Sequence, residues 1–179
     1  MAASRFTPFG AIAVVGLGLI GGSFARDVRR LGLARQLIGY DNNSVYREEI
    51  SSLNLVDYLA AAPDEKLAEV ELVLLAVPVK AFAEVLAQIR PHLSASAIVT
   101  DAGSVKSPLL KIMSTSEYSG MRFVGGHPIA GSEHFGPRAA KEKLFAGKRF
   151  ILTPSKKTEQ DVVERVRGLW EALGVSASE

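Results

Sequence analysis

The run Val14-Val15-Gly16-Leu17-Gly18-Leu19-Ile20-Gly21 restricts the fold of this chain more than any other feature. Ahead of it, Ala11 to Val15 is apolar and partly β-branched, as suits a strand buried on both faces of a parallel sheet. Behind it, Leu19 to Leu31 reads as a helix. The three glycines have separate tasks at this spacing. Gly16 permits the tight turn out of the strand, Gly18 lets the backbone approach a pyrophosphate, and Gly21 lets the helix pack closely on the strand. The helix N-terminus then faces the anion. Leu19 and Ile20 complete this candidate cofactor loop. An acid, Asp41, stands 20 residues beyond Gly21, at the end of a strand-like run from Gln36 to Tyr40. A carboxylate there accepts hydrogen bonds from adenosine ribose hydroxyls and repels the extra phosphate of NADP, so the pattern favours NAD. The plainer reading makes the glycines a structural turn and Asp41 a turn residue before Asn42-Asn43. Arg47 lies near in sequence but behind a helix start, and is not counted as a phosphate binder.

The rest of the chain continues the alternation. Ser44 is placed to cap a helix reaching about Leu53, and Pro63-Asp64 opens a short helical stretch through Glu69. Glu71 to Val77 reads as a strand, Lys80 to Ile89 as a helix, and Ala95 to Thr100 as a strand. Val105 to Met113 is expected to be helical with Pro108 in its first turn, where proline is tolerated. Met121 to Val124 and Arg149 to Thr153 are the next strands, with a short helix expected over Pro137 to Lys143. Thr158 to Leu173 is amphipathic, with Val162, Val166, Leu169 and Leu173 on one face and Gly174 as its stop. Strands alternating with helices imply an α/β, Rossmann-like, doubly wound and mainly parallel sheet with helices on both faces. Residues 1–179 read as one such domain, without repeats or an interdomain linker.

Composition narrows the function. Lys plus Arg number 21 and Asp plus Glu 19, a net charge of +2 with no basic stripe, so nucleic-acid binding is set aside. The absence of Cys excludes disulfides and thiolate chemistry, and three His argue against a metal site. Phe6 to Ala25 carries no charge over 20 positions, long enough for a membrane span. Pro8 and the central glycines make a span improbable, and a soluble, cytoplasmic protein is expected.

In a doubly wound sheet, ligands bind beyond the carboxyl ends of the strands. Three more turns are expected on that rim: Ala76-Val77-Pro78, Asp101-Ala102-Gly103-Ser104 and Gly125-Gly126-His127-Pro128. Val77, Pro78, Asp101 and Gly103 are candidate cofactor contacts, and Ser104 and His127 are the polar groups best placed for chemistry. A neutral imidazole is a good base near pH 7. Plainer roles stay open: Ser104 as a helix N-cap, Asp101 as a brace of its turn, Lys106 as a solvated helix residue, and His127 as a structural histidine. His92 reads as a surface residue, and His134 beside Glu133 is ambiguous.

Three segments together resemble the prephenate/arogenate dehydrogenases of tyrosine biosynthesis: Gly16 to Ser23, Asp101 to Lys106, and Gly126-His127-Pro128-Ile129-Ala130-Gly131-Ser132-Glu133. The first is shared by many dehydrogenases, whereas the second and third are far more specific. The resemblance implies NAD-dependent oxidative decarboxylation of prephenate to 4-hydroxyphenylpyruvate, or of arogenate to tyrosine. It implies His127 as the base on the ring hydroxyl, Ser104 as a hydrogen-bonding partner of that hydroxyl or of His127, and Glu133 at the substrate entrance. It also implies a second, all-helical domain that forms a homodimer and supplies an arginine for a substrate carboxylate. These 179 residues are expected to lack that domain, leaving a cofactor module that is monomeric or inactive alone. Arg138 and Lys141 are candidates to replace its positive charge.

Overall fold

The computed structural model describes residues 6–179, in which apolar strands alternate with helices to build one eight-stranded sheet. In chain order the elements are β1 (Phe9–Val15), α1 (Leu19–Leu31), β2 (Ala34–Tyr40), α2 (Ser44–Ser52), β3 (Tyr58–Ala60), β4 (Leu72–Leu75) and α3 (Phe82–Ile89). There follow β5 (Ile98–Asp101), α4 (Ser107–Met113), β6 (Arg122–Pro128), β7 (Arg149–Thr153), α5 (Gln160–Ala172) and β8 (Ser176–Ser178). The strand order is β3-β2-β1-β4-β5-β6-β7-β8. Neighbours pair in parallel except β6 with β7. The first six strands thus have the order of a Rossmann fold, whose connectivity reverses between β1 and β4.

Each central strand is buried on both faces, and its alternation distributes side chains between two cores. Ile12, Val14, Leu72, Leu74, Ile98 and Val124 meet Phe24 and Val28 of α1 and Val166, Leu169 and Trp170 of α5. Trp170 stacks on Phe150 of β7 with ring centroids 4.2 Å apart. On the opposite face Ala13, Val15, Val73, Leu75, Val99 and Phe123 meet Phe82, Leu86 and Ile89 of α3 and Leu109 of α4. Such two-sided burial explains the near-continuous apolar runs of the sequence.

Several local expectations are corrected. The cap of α2 is Asn43, whose side chain accepts from the Tyr46 N–H at 3.2 Å, and not Ser44. The strand β5 starts at Ile98 and takes in Asp101, and α4 begins at Ser107 after Lys106, so Ser104 is not a helix cap. Pro108 does sit in the first turn of α4. The segment expected as a helix over residues 137–143 holds only a single 3-10 turn, Pro137–Ala139. The largest difference is in β6, which runs through Gly125-Gly126-His127-Pro128 where a turn was expected. Those residues pair antiparallel with Thr153-Leu152-Ile151-Phe150 of β7. The glycines are there for packing: a Cβ on Gly126 would lie 2.8 Å from the Asp101 carbonyl oxygen and also strike the Phe150 ring. The uncharged stretch after Phe6 folds as strand, turn and helix. Among the described residues no helix is long and apolar enough to cross a membrane.

Candidate active site at the carboxyl rim of the sheet

The carboxyl ends of β1, β2, β4, β5 and β6 form one rim. The loops leaving β1 and β4 touch at the point where the strand order reverses. Gly16 has φ +87°, and a Cβ on it would lie 2.7 Å from the Ala76 carbonyl oxygen and 2.9 Å from Val77. A left-handed residue in so tight a place must be glycine. Gly21 is packed against the Gly16 carbonyl oxygen, which closes α1 onto the turn. Gly18 differs from both. It has extended backbone, and a Cβ on it would meet no protein atom within 4 Å. Its lack of a side chain serves no contact within the chain, so the space beside it is a place where something else can approach. Gly18 is the N-cap of α1, makes no side-chain cap, and no acid occupies the first turn. The N–H groups of Leu19, Ile20 and Gly21 precede the first intrahelical bonds. Open space beside an uncapped helix N-terminus suits a pyrophosphate, and the residues present fit a dinucleotide.

Asp41 leaves β2 beside this loop. Its carboxylate accepts from the Leu17 N–H at 3.0 Å and the Asn43 N–H at 3.0 Å, so it ties the glycine loop to the cap of α2. A carboxylate has lone pairs for further donors after two such bonds. Arg47 donates to the Asp41 carbonyl oxygen at 2.9 Å, in keeping with its exclusion as a phosphate binder.

At the other end of the rim Asp101 is fully buried at the end of β5. Its Oδ2 accepts from the Gly103 N–H at 2.9 Å and from Lys106 Nζ, and its Oδ1 accepts from the Gly126 N–H at 3.0 Å. Lys106 Nζ also donates to the Gly126 carbonyl oxygen at 2.6 Å. The side chain of Asp101 therefore braces β5 against β6, as the plainer reading of that residue allowed. Lys106 is not solvated: only 14% of its side chain is exposed, and burial lowers its pKa against the opposing pull of Asp101. Ser104 is exposed in the loop between these two residues, and His127 follows directly on the braced Gly126. His127 is half-buried, and burial first and Lys106 second lower its pKa below 6.5, against Asp101. Both influences favour the neutral, proton-accepting form of the ring.

The segment after β6 passes over α1 and is tied down along its second half. Arg138 Nε pairs with Glu49 of α2 at 2.8 Å, the Lys141 N–H donates to Ser23 Oγ at 3.0 Å, and the Lys143 N–H donates to Asp27 at 3.0 Å. Gly22 admits Ala140, to which an added Cβ would come within 2.8 Å. Arg138 is thus paired with Glu49 through Nε, and its side chain is otherwise largely exposed. Glu133 and His134 lie exposed on the untied stretch, 3.4 Å apart, beside Phe135, which is 85% exposed. A cavity of about 750 Å³ is elsewhere, lined by Leu110, Met113, Arg122, Phe123 and Thr153. It lies by the start of β6 and the end of β7, away from the rim, and holds none of the expected site residues.

Comparison with known proteins fits this geometry. Residues 24–179 match the family model described as prephenate dehydrogenase, nucleotide-binding domain. The chain is 35% identical over 168 residues to cyclohexadienyl dehydrogenase of Zymomonas mobilis, covering 94% of this chain and 57% of that protein. It is 33% identical over 159 residues to prephenate dehydrogenase of Bacillus subtilis, covering 88% and 43%. Among solved structures, prephenate dehydrogenase of Aquifex aeolicus in complex with hydroxyphenyl propionate and NAD+ superposes with a TM-score of 0.88 at 34% identity, over 97% of this chain and 60% of that one. Arogenate dehydrogenase of Synechocystis gives 0.81 at 35% identity, over 94% and 58%. The chain spans about half the length of the curated relatives it matches.

Proposed function

The chain belongs to the prephenate dehydrogenase family, and from that premise we propose that it is the NAD-binding part of a cytoplasmic dehydrogenase acting on prephenate, with arogenate as the alternative. The observation that carries this reading is the open cradle at Gly18 on the same rim as the half-buried, neutral His127. The backbone of Gly16, Gly18, Leu19, Ile20 and Gly21 would hold the pyrophosphate of NAD, and Asp41 the adenosine ribose. Val77 and Pro78 would flank the dinucleotide, with Gly103 and the backbone of Asp101 toward its reactive end. NAD when bound supplies the hydride acceptor for the ring carbon that bears the hydroxyl. His127 takes the hydroxyl proton as the carbonyl forms, a task for which a base with a pKa near or below neutrality is suited. Ser104 orients the same hydroxyl, and Glu133, on the exposed stretch, lies at the substrate entrance. The ring carboxylate leaves as CO2, its bonding electrons complete the aromatic ring, and the oxygen takes the proton back from His127. The balance is prephenate and NAD+ giving 4-hydroxyphenylpyruvate, CO2 and NADH.

A second reading is favoured by one observation: the chain covers only 57% of the length of its Zymomonas relative. On that reading the 179 residues bind NAD and need further structure for turnover. The test is NADH formation by this chain with NAD+ and either prephenate or arogenate, run beside a binding titration with NAD+. Turnover supports the first reading and identifies the substrate. Binding without turnover supports the second, and absence of NAD+ binding overturns both.

A further inference from the structure

The buried pair of Asp101 and Lys106 has no task in the chemistry above, although burying two charges is costly unless geometry and hydrogen bonds compensate. Here both partners converge on one residue, Gly126, one on the peptide before it and one on the peptide that joins it to His127. Asp101 takes the N–H of Gly126 at 3.0 Å, and Lys106 donates to the carbonyl of the same residue at 2.6 Å. Both polar groups of Gly126 are thus held by side chains from the β5 end of the rim, and the next residue is His127. Gly126 has no Cβ and is confined between Asp101 and Phe150, so its peptide has no other place to go. Resting on the reading of His127 as the base, we propose that Lys106 is a positioning residue: paired with Asp101, it clamps both peptides of Gly126, fixes the His127 imidazole at the rim, and keeps a positive charge near it.

The clamp has a consequence beyond stability. A cation near the ring disfavours the imidazolium and keeps His127 in its proton-accepting form. The charged groups around His127 are Asp101 from β5, Lys106 from the loop before α4, and the exposed Arg149 of β7, two residues from Ile151, which pairs with His127. Lys106 favours the neutral ring and Asp101 opposes it, so the effect of the cation is read by replacing Lys106 with Asp101 left in place.

The test is the NMR titration of the His127 ring in the 179-residue chain, its signal assigned by its loss in His127→Asn. It reads protonation and not turnover, so a chain that oxidises nothing still tests the clamp, and failure of the proposed function remains a separate result. Lys106→Met should raise the His127 pKa by about one unit. Lys106→Arg, which keeps the charge, should leave it within a few tenths of the parent value. Should Lys106→Met fail to fold, Lys106→Gln also removes the charge and should raise the His127 pKa in the same direction. An unchanged pKa in either folded variant lacking the cation, or equal shifts in Lys106→Met and Lys106→Arg, overturns the proposal.

Discussion

The surroundings of His127 suit it to the proposed role of base. Burial and the nearby ammonium of Lys106 both favour the neutral ring, so its pKa falls below 6.5 and the proton-accepting form dominates at pH 7. The rate of the complete enzyme should therefore fall only as pH drops through that lowered pKa, and stay level from there to neutrality. His127→Asn should lower kcat by about 10²- to 10⁴-fold and abolish this acid limb, while NAD+ affinity stays within about twofold. A retained acid limb in that variant would move the base to another residue. Asp41 carries a different expectation. Its neutralisation in Asp41→Asn should weaken NAD+ by about tenfold and narrow the gap to NADP+, since the charge that strengthens the ribose hydrogen bonds and repels a phosphate is gone. Equal preference before and after, read by paired binding titrations, would contradict its assignment.

Among the elements, β6 is the most informative, because its glycines look like a turn and behave as a strand. Gly126→Ala places a Cβ 2.8 Å from the Asp101 carbonyl oxygen and against the Phe150 ring. Overpacking there should cost about 1–3 kcal/mol, seen as a lower denaturant midpoint at unchanged slope. The second tether, from α1 to the 137–143 segment, is separable from it. Asp27 is fully buried and accepts from the Lys143 N–H and from Arg30 at 2.7 Å. Asp27→Ala should leave the Lys143 N–H unpaired at a cost of about 1–3 kcal/mol and speed hydrogen exchange at residues 141–143, with β1 unaffected. Uniform acceleration across the chain would instead mean that α1 itself had loosened. These two elements also mark how far the sequence could be read. Strands buried on both faces, such as β1 and β4, announce themselves as apolar runs, and α5 by its 3.6-residue period. The extension of β6 depends on pairing with β7 some 25 residues on, as Gly126 with Leu152, and local composition holds no trace of it. Likewise β3 is a three-residue edge strand that exists because Tyr58 lies beside Ile38, and β8 is a three-residue strand on β7. Asn43 and Ser44 are both good caps, and only the backbone decides between them.

Over the whole molecule, the parallel sheet gathers onto one rim residues far apart in sequence: the loop at Gly16 to Gly21, Asp41, Val77 and Pro78, Ser104, and His127. That these turns belong together was legible from the alternation of strands and helices, since a doubly wound sheet has one ligand-binding edge. The clamp of Asp101 and Lys106 on Gly126 was not, because its partners are 20 and 25 residues apart and only the closed sheet brings them into contact. Arg138 likewise has a partner that the sequence does not show, Glu49, 89 residues away. Gly18 separates a dinucleotide cradle from a structural turn. An added side chain there meets no protein atom within 4 Å and its backbone is extended, so the free chain should tolerate one. The measurement is calorimetric titration of NAD+ into the parent chain and into Gly18→Val, with the melting temperature of each. The account predicts binding to the parent, at least about tenfold weaker binding to Gly18→Val, and equal melting temperatures. Equal NAD+ affinity in the two chains, or no binding to the parent, would contradict it.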